Sequence, residues 1–567
     1  MKLATVLVLT AWTSVAGAED FRPLVADAIS RGEKRIVIPP GIYRLEPAQG
    51  TKSVFRIANV RDTEIVADGV KLLSTKLTRA VEIGGCERLT LRGLTVDYDP
   101  LPFTQGEVVA VAEDRGWIDV KPHEGYPRKP YSRIDVVDPA TRYRKRGMPF
   151  LWGTVAEMRG DGLVRVSRGE IGAAAVPGDL VSLSTGPAPD GIPHGISLDR
   201  CAAVVLDHIT VHSAPGMGII ECDGDGGTRM LGCRVVPGPM PEGARQERLL
   251  STSWDAIQAK TIRKGPVVDG CEIRDAGDDS WSVQSADFMV LLAAGKKLVV
   301  ACRDEYTTGV LTGDRLMNRA GGDSATIVSR REIRRGEAGV PPDVLSKMDT
   351  AAAWSLWKVS PKWLEVGLDS ELPVKAGDSV FSPDRMGNGF RFSNNRIHSS
   401  GRILIKAAGV IEDNVLDTPH ALVVCPELPG GAAVGIDGLV IRRNTIRRAG
   451  WFCAAPWSSQ AGALSVTATD GSRELRAAGV FANIRIEDNV FEDCIGPNLV
   501  ISSARGVVVR GNRFIRPHHS KPPDTGSAYG IAGNAVIWLK NHEDVRNAGN
   551  SVEDPGPFVG KPPVVER

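Results

Sequence analysis

Beyond Trp12 the chain has no apolar run approaching the ~20 residues with which a helix spans a bilayer, so no membrane span is expected. Neither charge is in excess: 69 Lys and Arg face 68 Asp and Glu. That balance gives no reason to expect nucleic acid, an anionic membrane or a strongly polyanionic partner, and leaves room only for a local basic patch. The nine cysteines include no CxxC pair and no metal-knuckle spacing, so a structural metal has no sequence support, and no metal or other cofactor is expected. Asp223-Gly224-Asp225-Gly226 looks like the start of a calcium loop but lacks the acidic ligands that should follow. The cysteines read instead as small buried thiols. Cys233 and Cys271 occupy repeat positions where other copies carry Asn.

What is present begins with an export pattern. Lys2, the apolar Leu3–Trp12 run and the small residues Ala16-Gly17-Ala18 form a secretory signal over residues 1–18, which implies a secreted or periplasmic protein. The remainder is too long for one compact core, so several domains or a repeat architecture are expected. The repeat is visible in Phe392-x-x-Asn395-x-Ile397, Ile411-x-x-Asn414-x-Leu416, Ile441-x-x-Asn444-x-Ile446, Ile486-x-x-Asn489-x-Phe491 and Val509-x-x-Asn512-x-Phe514. Upstream relatives place Cys233, Cys271, Leu94 and Ile209 at the middle position, and Asn550-x-Val552 is a last degenerate copy. Each unit sets apolar residues around a bend. Asn suits that bend because it tolerates the left-handed conformation and its amide can bond the unit stacked above. One unit cannot bury its apolar face, whereas stacked units form a continuous core.

The fold class is therefore all-β: a right-handed parallel β-helix of the pectate-lyase type with two inserted small β-barrel domains. A cap and first coils fill residues 19–104, a first barrel 105–187, and the central coils 188–286. A second barrel takes 287–384, and the last coils and tail 385–567. Both inserts alternate like antiparallel strands and close on Pro177-Gly178-Asp179-Leu180-Val181 and Ala376-Gly377-Asp378-Ser379-Val380. The second leaves immediately after an acidic pair and is expected to wall one side of the cleft.

The chemistry concentrates between Leu249 and Gln284. Asp255 lies about one repeat before the adjacent pair Asp278 and Asp279, so the three carboxyl groups fall on neighbouring rungs ~4.8 Å apart. Two carboxyl groups suffice for glycoside hydrolysis, one protonating the leaving oxygen and the other activating water or attacking the sugar. Like charges crowded together raise one pKa, which lets one of them keep a proton. Gly277 permits the bend that would turn both members of the pair outward. Around the catalytic candidates Asp255, Asp278 and Asp279, substrate contacts are expected from Trp254, Gln258, Trp281, Gln284, Arg402 and Lys406.

The order of these parts resembles glycoside hydrolase family 110, exo-acting α-1,3-galactosidases built on a β-helix with barrel inserts. The resemblance is carried by Leu94-Thr95-Val96-Asp97-Tyr98-Asp99-Pro100 with Gln105, and by His212-Ser213-Ala214-Pro215-Gly216-Met217-Gly218-Ile219-Ile220. It continues through Leu249-Leu250-Ser251-Thr252, Asp255-Ala256 and Asp278-Asp279 to Gly401-Arg402-Ile403-Leu404-Ile405. It implies an inverting exo-glycosidase that removes a terminal α-linked galactose or related sugar, with Asp255, Asp278 and Asp279 catalytic and a carbohydrate as the partner. Inversion implies ~6.5–9.5 Å between acid and base carboxyls. The chain departs from the family at Gln258, where a His commonly stands, and at Ser282 and Gln284, where Asn and His are usual. The alternatives are a polygalacturonase-like hydrolase, a polysaccharide lyase, or a non-catalytic carbohydrate-binding β-helix. Oligomeric state is not readable.

Overall fold

The computed structural model describes residues 20–148, 151, 154–167, 171–185, 193–302, 309–335, 337, 339–350, 362–419, 422–425, 435–451, 462–469, 474–522 and 530–566. The expected signal segment, residues 1–18, lies outside them.

Short apolar–polar alternations closed by Gly, Asn or Asp at positive φ give strands of a few residues that bend sharply into the next. These strands pile into three parallel stacks, which makes the chain a right-handed parallel β-helix. The first stack runs through Ser53–Ala58, Arg79–Gly84, Ile196–Asp199, Ile219–Cys222, Ile257–Lys260, Trp281–Gln284, Ile403–Ile405, Leu422–Val424 and Leu464–Val466. Its register superimposes Val81, Ile196, Ile219, Ile257, Trp281, Ile403, Leu422 and Leu464 in one inward column. The second stack includes Val205–Asp207, Val267–Asp269 and Phe390–Ser393, and the third Thr210–Val211, Glu272–Arg274 and Arg396–His398. The helix Arg22–Ser30 covers the first coil, with the Phe21 ring edge-on to Tyr43 and Phe55 at 5.0 Å each.

The Asn positions form a continuous ladder between the second and third stacks. Asn414 Nδ2 donates to Phe392 O at 2.9 Å and to Asn444 Oδ1 at 2.8 Å, and the pattern repeats through Asn395, Asn489, Asn512 and Asn550. The ladder crosses separations of 19, 30, 45, 23 and 38 residues, so loops of any length leave the stack without breaking it. Cys271 Sγ contacts Met230 O at 3.4 Å and Cys233 Sγ contacts Leu206 O at 3.3 Å, the place the Asn amide takes higher up. Among the described residues all cysteines are free, buried thiols.

One acid interrupts the apolar interior. Glu221 pairs in register with Leu198 below and Ala259 above, and its only hydrogen bond among the described residues is from Thr228 Oγ1 at 2.6 Å. Burial pushes its pKa up to about 7, against a smaller lowering by the Thr228 hydroxyl. The folded chain therefore holds this proton more tightly than the unfolded chain, and stability falls as pH rises from about 4.5 to about 7. Glu221→Gln is expected to remove that fall. Melting temperatures should separate in favour of the variant at about pH 8 and converge at about pH 4.

The two inserts leave different edges of the helix. The first grows from the edge where the third stack turns back into the first. It is a six-stranded antiparallel sheet, with Arg133–Val137 and Val155–Met158 at its margins. The second follows Trp281–Gln284 at the opposite end of a first-stack strand and closes into a six-stranded barrel. Of the two expected barrels, then, the second closes and the first stays an open sheet, whose free margin lies against the coil bends through Arg133. The helix Pro342–Thr350 within the second insert was not legible in the sequence. Asp223-Gly224 is a docking turn for this barrel: Gly309 N donates to Asp223 Oδ1 at 2.8 Å, and Arg385 Nη1 to the Asp223 and Gly224 carbonyls at 3.1 and 2.8 Å. No helix among the described residues is long and apolar enough to cross a membrane.

Candidate active site

Asp255 and Asp279 occupy equivalent places on successive bends, each two residues before the paired positions Ile257 and Trp281. The coils are bound there by Ala256 N donating to Asp279 O and Gly218 N to Asp255 O, both at 2.9 Å. At two glycines beside the acids the neighbouring backbone leaves no room for a side chain. A Cβ on Gly277 would stand 2.6 Å from Ser253 O, and one on Gly401 would overlap the Asp278 carbonyl. These two glycines allow the bends to close up and the neighbouring carboxyls to converge.

The three acids meet. One carboxylate oxygen from each of Asp255, Asp278 and Asp279 lies within 4.8 Å of the other two. Ile257, Ala259, Trp281 and Val283 point into the core, so Gln258 and Ser282 face outward, and it is these that bond Asp255. Asp255 therefore turns to the outer face of the stack, although it is only 4% exposed. Gln258 Nε2 donates to Asp255 Oδ2 at 2.9 Å and Ser282 Oγ to the same oxygen at 3.3 Å. Asp279 Oδ1 accepts from Arg402 Nε at 2.6 Å. Asp278 is the member most open to solvent, with its Oδ2 3.7 Å from Arg133 Nη2.

Burial raises the Asp255 pKa well above the usual carboxylate range, and the charges of Asp279 and Asp278 raise it further; Arg402 and Arg133 oppose them weakly. The charge balance explains the division. Among the described residues Asp279 is bonded by the Arg402 guanidinium and Asp278 lies near that of Arg133, whereas Asp255 is bonded by a neutral amide and a hydroxyl. Both of those donors go to its Oδ2.

The remaining sequence candidates divide. Arg402 and Gln258 join the cluster as hydrogen-bond donors to its acids. Trp254 is half-buried beside it, Nε1 donating to Thr185 O at 3.2 Å with the Arg133 guanidinium 5.7 Å from its ring centre. Trp281 does not join: it is 0% exposed and stacks on Phe392 at 4.5 Å inside the coil. Strand alternation next to the outward Ser282 puts it there. Gln284 and Lys406 bond each other at 3.0 Å, two positions further along the strands from the Ser282 level, and neither is bonded to an acid of the trio.

Arg133 was missed. It stands in an ordinary alternating strand of the first insert, yet its guanidinium is buried and donates to Ser253 O at 2.5 Å and to Gly277 O. The first insert thus reaches the acids, where the second was expected to, because it grows from the edge on which they lie. The motif residues upstream hold that insert in place. Asp97 accepts from Arg248 Nη1 at 2.8 Å and Ser213 Oγ at 2.7 Å, while Gln105 bonds Glu247 O and Leu249 N at 2.8 Å each.

No family model matches this sequence, and no curated protein matches it. Among solved structures it is similar to the catalytic domain of a GH87 α-1,3-glucanase in complex with nigerose (TM-score 0.40, 10% identity, 98% of this chain and 70% of that one). It is also similar to the surface protein and adhesin PfbA of Streptococcus pneumoniae (0.34, 8%, 97% and 96%). A third is the A-module of the Azotobacter vinelandii mannuronan C-5 epimerase AlgE4 (0.28, 8%, 95% and 94%). The fold itself is established by the three strand stacks.

Proposed function

We propose that the chain is an exported glycoside hydrolase and that the trio cleaves the bond. The observation that carries this reading is the convergence of three carboxyl groups on the outer face of the stack, one with its pKa raised by its surroundings and two beside guanidinium groups. Asp255 donates its proton to the leaving oxygen. Asp278, the member facing solvent, takes a proton from the attacking water, and Asp279, fixed by Arg402, supplies negative charge next to the developing oxocarbenium centre.

Among the described residues two cavities lie along the edge that carries the acids, neither lined by an acid of the trio. One of about 360 Å³ is lined by Leu77, Tyr131, Thr185 and Pro215, from coils before Asp255 and from the first insert. One of about 580 Å³ lies on the coils after Asp279. Their positions before and after the acids support a reading in which sugar units lie on both sides of the cleaved bond. The finer reading, removal of a terminal α-linked galactose or a relative, rests on the family-110-like order of motifs. The oxygen grouping within 4.8 Å is tighter than the ~6.5–9.5 Å usual between inverting carboxyls, but the exposed side of Asp278 leaves a place for water.

The test is a panel of aryl α- and β-glycosides and galactose-terminated oligosaccharides, followed by proton NMR of the first anomer released. Release of an α-linked terminal sugar with inversion is expected. Retention would make Asp278 the nucleophile. Unsaturated, ultraviolet-absorbing ends from uronate polymers would show a lyase instead.

A further inference from the structure

The 580 Å³ cavity lies between the first insert and three successive bends of the edge that carries the acids. Its insert wall contributes Tyr143, Arg144 and Arg146, and its coil wall His398, Arg448 and Trp451. His398 ends the strand that leads directly into Gly401 and Arg402, and the bends after Asp417 and Arg447 follow at ~4.8 Å per coil. The cavity therefore continues the line of the trio, starting one coil beyond Asp279. Contacts that fix the insert here include Arg144 N donating to Ser400 Oγ at 3.0 Å and Tyr143 Oη donating to Asp417 O at 3.1 Å.

Aromatic surface and cationic charge are combined in this space. The Tyr143 and His398 rings lie 4.8 Å apart, with Tyr143 Oη 2.9 Å from His398 Nδ1. Most of the cations are already matched: Arg144 by Asp135 at 2.6 Å, Lys145 by Asp179 at 2.6 Å, and Arg448 by Asp417. Arg146 differs. It is exposed, its guanidinium lies 5.4 Å from the Trp451 ring centre, and no carboxylate among the described residues is within ion-pair distance of it; Asp138, which also lines the cavity, attracts it only from farther away. A cation stacked on an aromatic face beside a sugar-sized space suits a planar or tetrahedral anion carried on a sugar ring.

We propose that this cavity is a subsite for a sugar unit bearing an anionic group, a carboxylate or a sulfate ester, on the part of the glycan beyond the cleaved bond, with Arg146 as its counter-charge. This rests on the reading of the trio as a glycoside-cleaving site and narrows its substrate to an acidic glycan. The near-neutral whole-chain charge does not oppose it, because the recognition is local.

The test is equilibrium binding to the full chain carrying Asp255→Asn, so that ligands stay intact. The probes are trigalacturonate, a sulfated galactotriose and neutral galactotriose, with turnover of the same compounds by the unmodified chain measured alongside. At least one charged trisaccharide is expected to bind about tenfold more tightly than the neutral one, the ratio that a single charge-assisted contact gives. Added salt shrinks the preference, Arg146→Lys keeps part of it and Arg146→Gln abolishes it. The tighter of the two charged ligands identifies the anion. Equal affinity for charged and neutral probes, or a preference that survives Arg146→Gln, overturns the subsite. If the unmodified chain still hydrolyses a neutral glycoside, only the subsite fails; if nothing binds and nothing is released, the hydrolase reading fails with it.

Discussion

Asp255→Asn is expected to lower turnover by about 10²–10⁴-fold, the usual contribution of a positioned acid, while making the protein more stable at neutral and alkaline pH. The loss follows from geometry. Asp255 is the acid whose pKa burial and two neighbouring carboxylates raise, and an amide has no proton of suitable acidity to give. The gain follows from the same shift. With its folded pKa raised, Asp255 binds a proton more tightly in the native state than in the unfolded chain, so stability falls as pH rises above about 3.8. Asn escapes that fall, and its side-chain oxygen still accepts from Gln258 and Ser282. Melting curves from about pH 4 to 8 should show the variant gaining on the unmodified chain as pH rises. A variant that loses activity and stability together across that range would make Asp255 a packing residue.

The second large effect is expected inside the coil. Trp281→Ala should destabilise the chain by about 3–5 kcal/mol, the cost of truncating a fully buried large aromatic. Trp281 fills the column between Ile257 and Ile403 and stacks on Phe392, with Phe390 edge-on at 5.1 Å. The loss should appear in denaturant midpoints, and Trp281→Phe should recover most of it. A Trp281→Ala protein as stable as its parent but with a raised KM would return the residue to the substrate face.

Trp281 also shows where sequence reading reaches its limit. The repeat made the solenoid legible because its Asn ladder and inward apolar positions are local patterns repeated many times. The relation between Asp255 and the Asp278-Asp279 pair was legible because coil length translates sequence separation into stacking. Which way a residue next to a bend points was not legible, since the bend resets the alternation: Asp255 and Asp279 turn outward while Trp281, two positions on, turns in. Arg133 and Arg146 were beyond reach for a different reason. They meet the coils through an insert that folds back over its own edge of origin, and no periodicity links Arg133 to Gly277 or Arg146 to Trp451. Lys406 and Arg402 look alike in sequence as basic residues on one coil, yet only Arg402 stands at the bend with the acids.

The central claim is that the proton for the leaving group comes from Asp255, and leaving-group dependence tests it most directly. Rates for Asp255→Asn and Asp279→Asn should be compared on a natural oligosaccharide linkage and on a dinitrophenyl glycoside of the same sugar, whose leaving group departs without protonation. Asp255→Asn should lose the first reaction and keep most of the second, whereas Asp279→Asn should lose both. Equal losses on the two substrates for Asp255→Asn, or selective sparing of the dinitrophenyl glycoside by Asp279→Asn, would contradict the assignment.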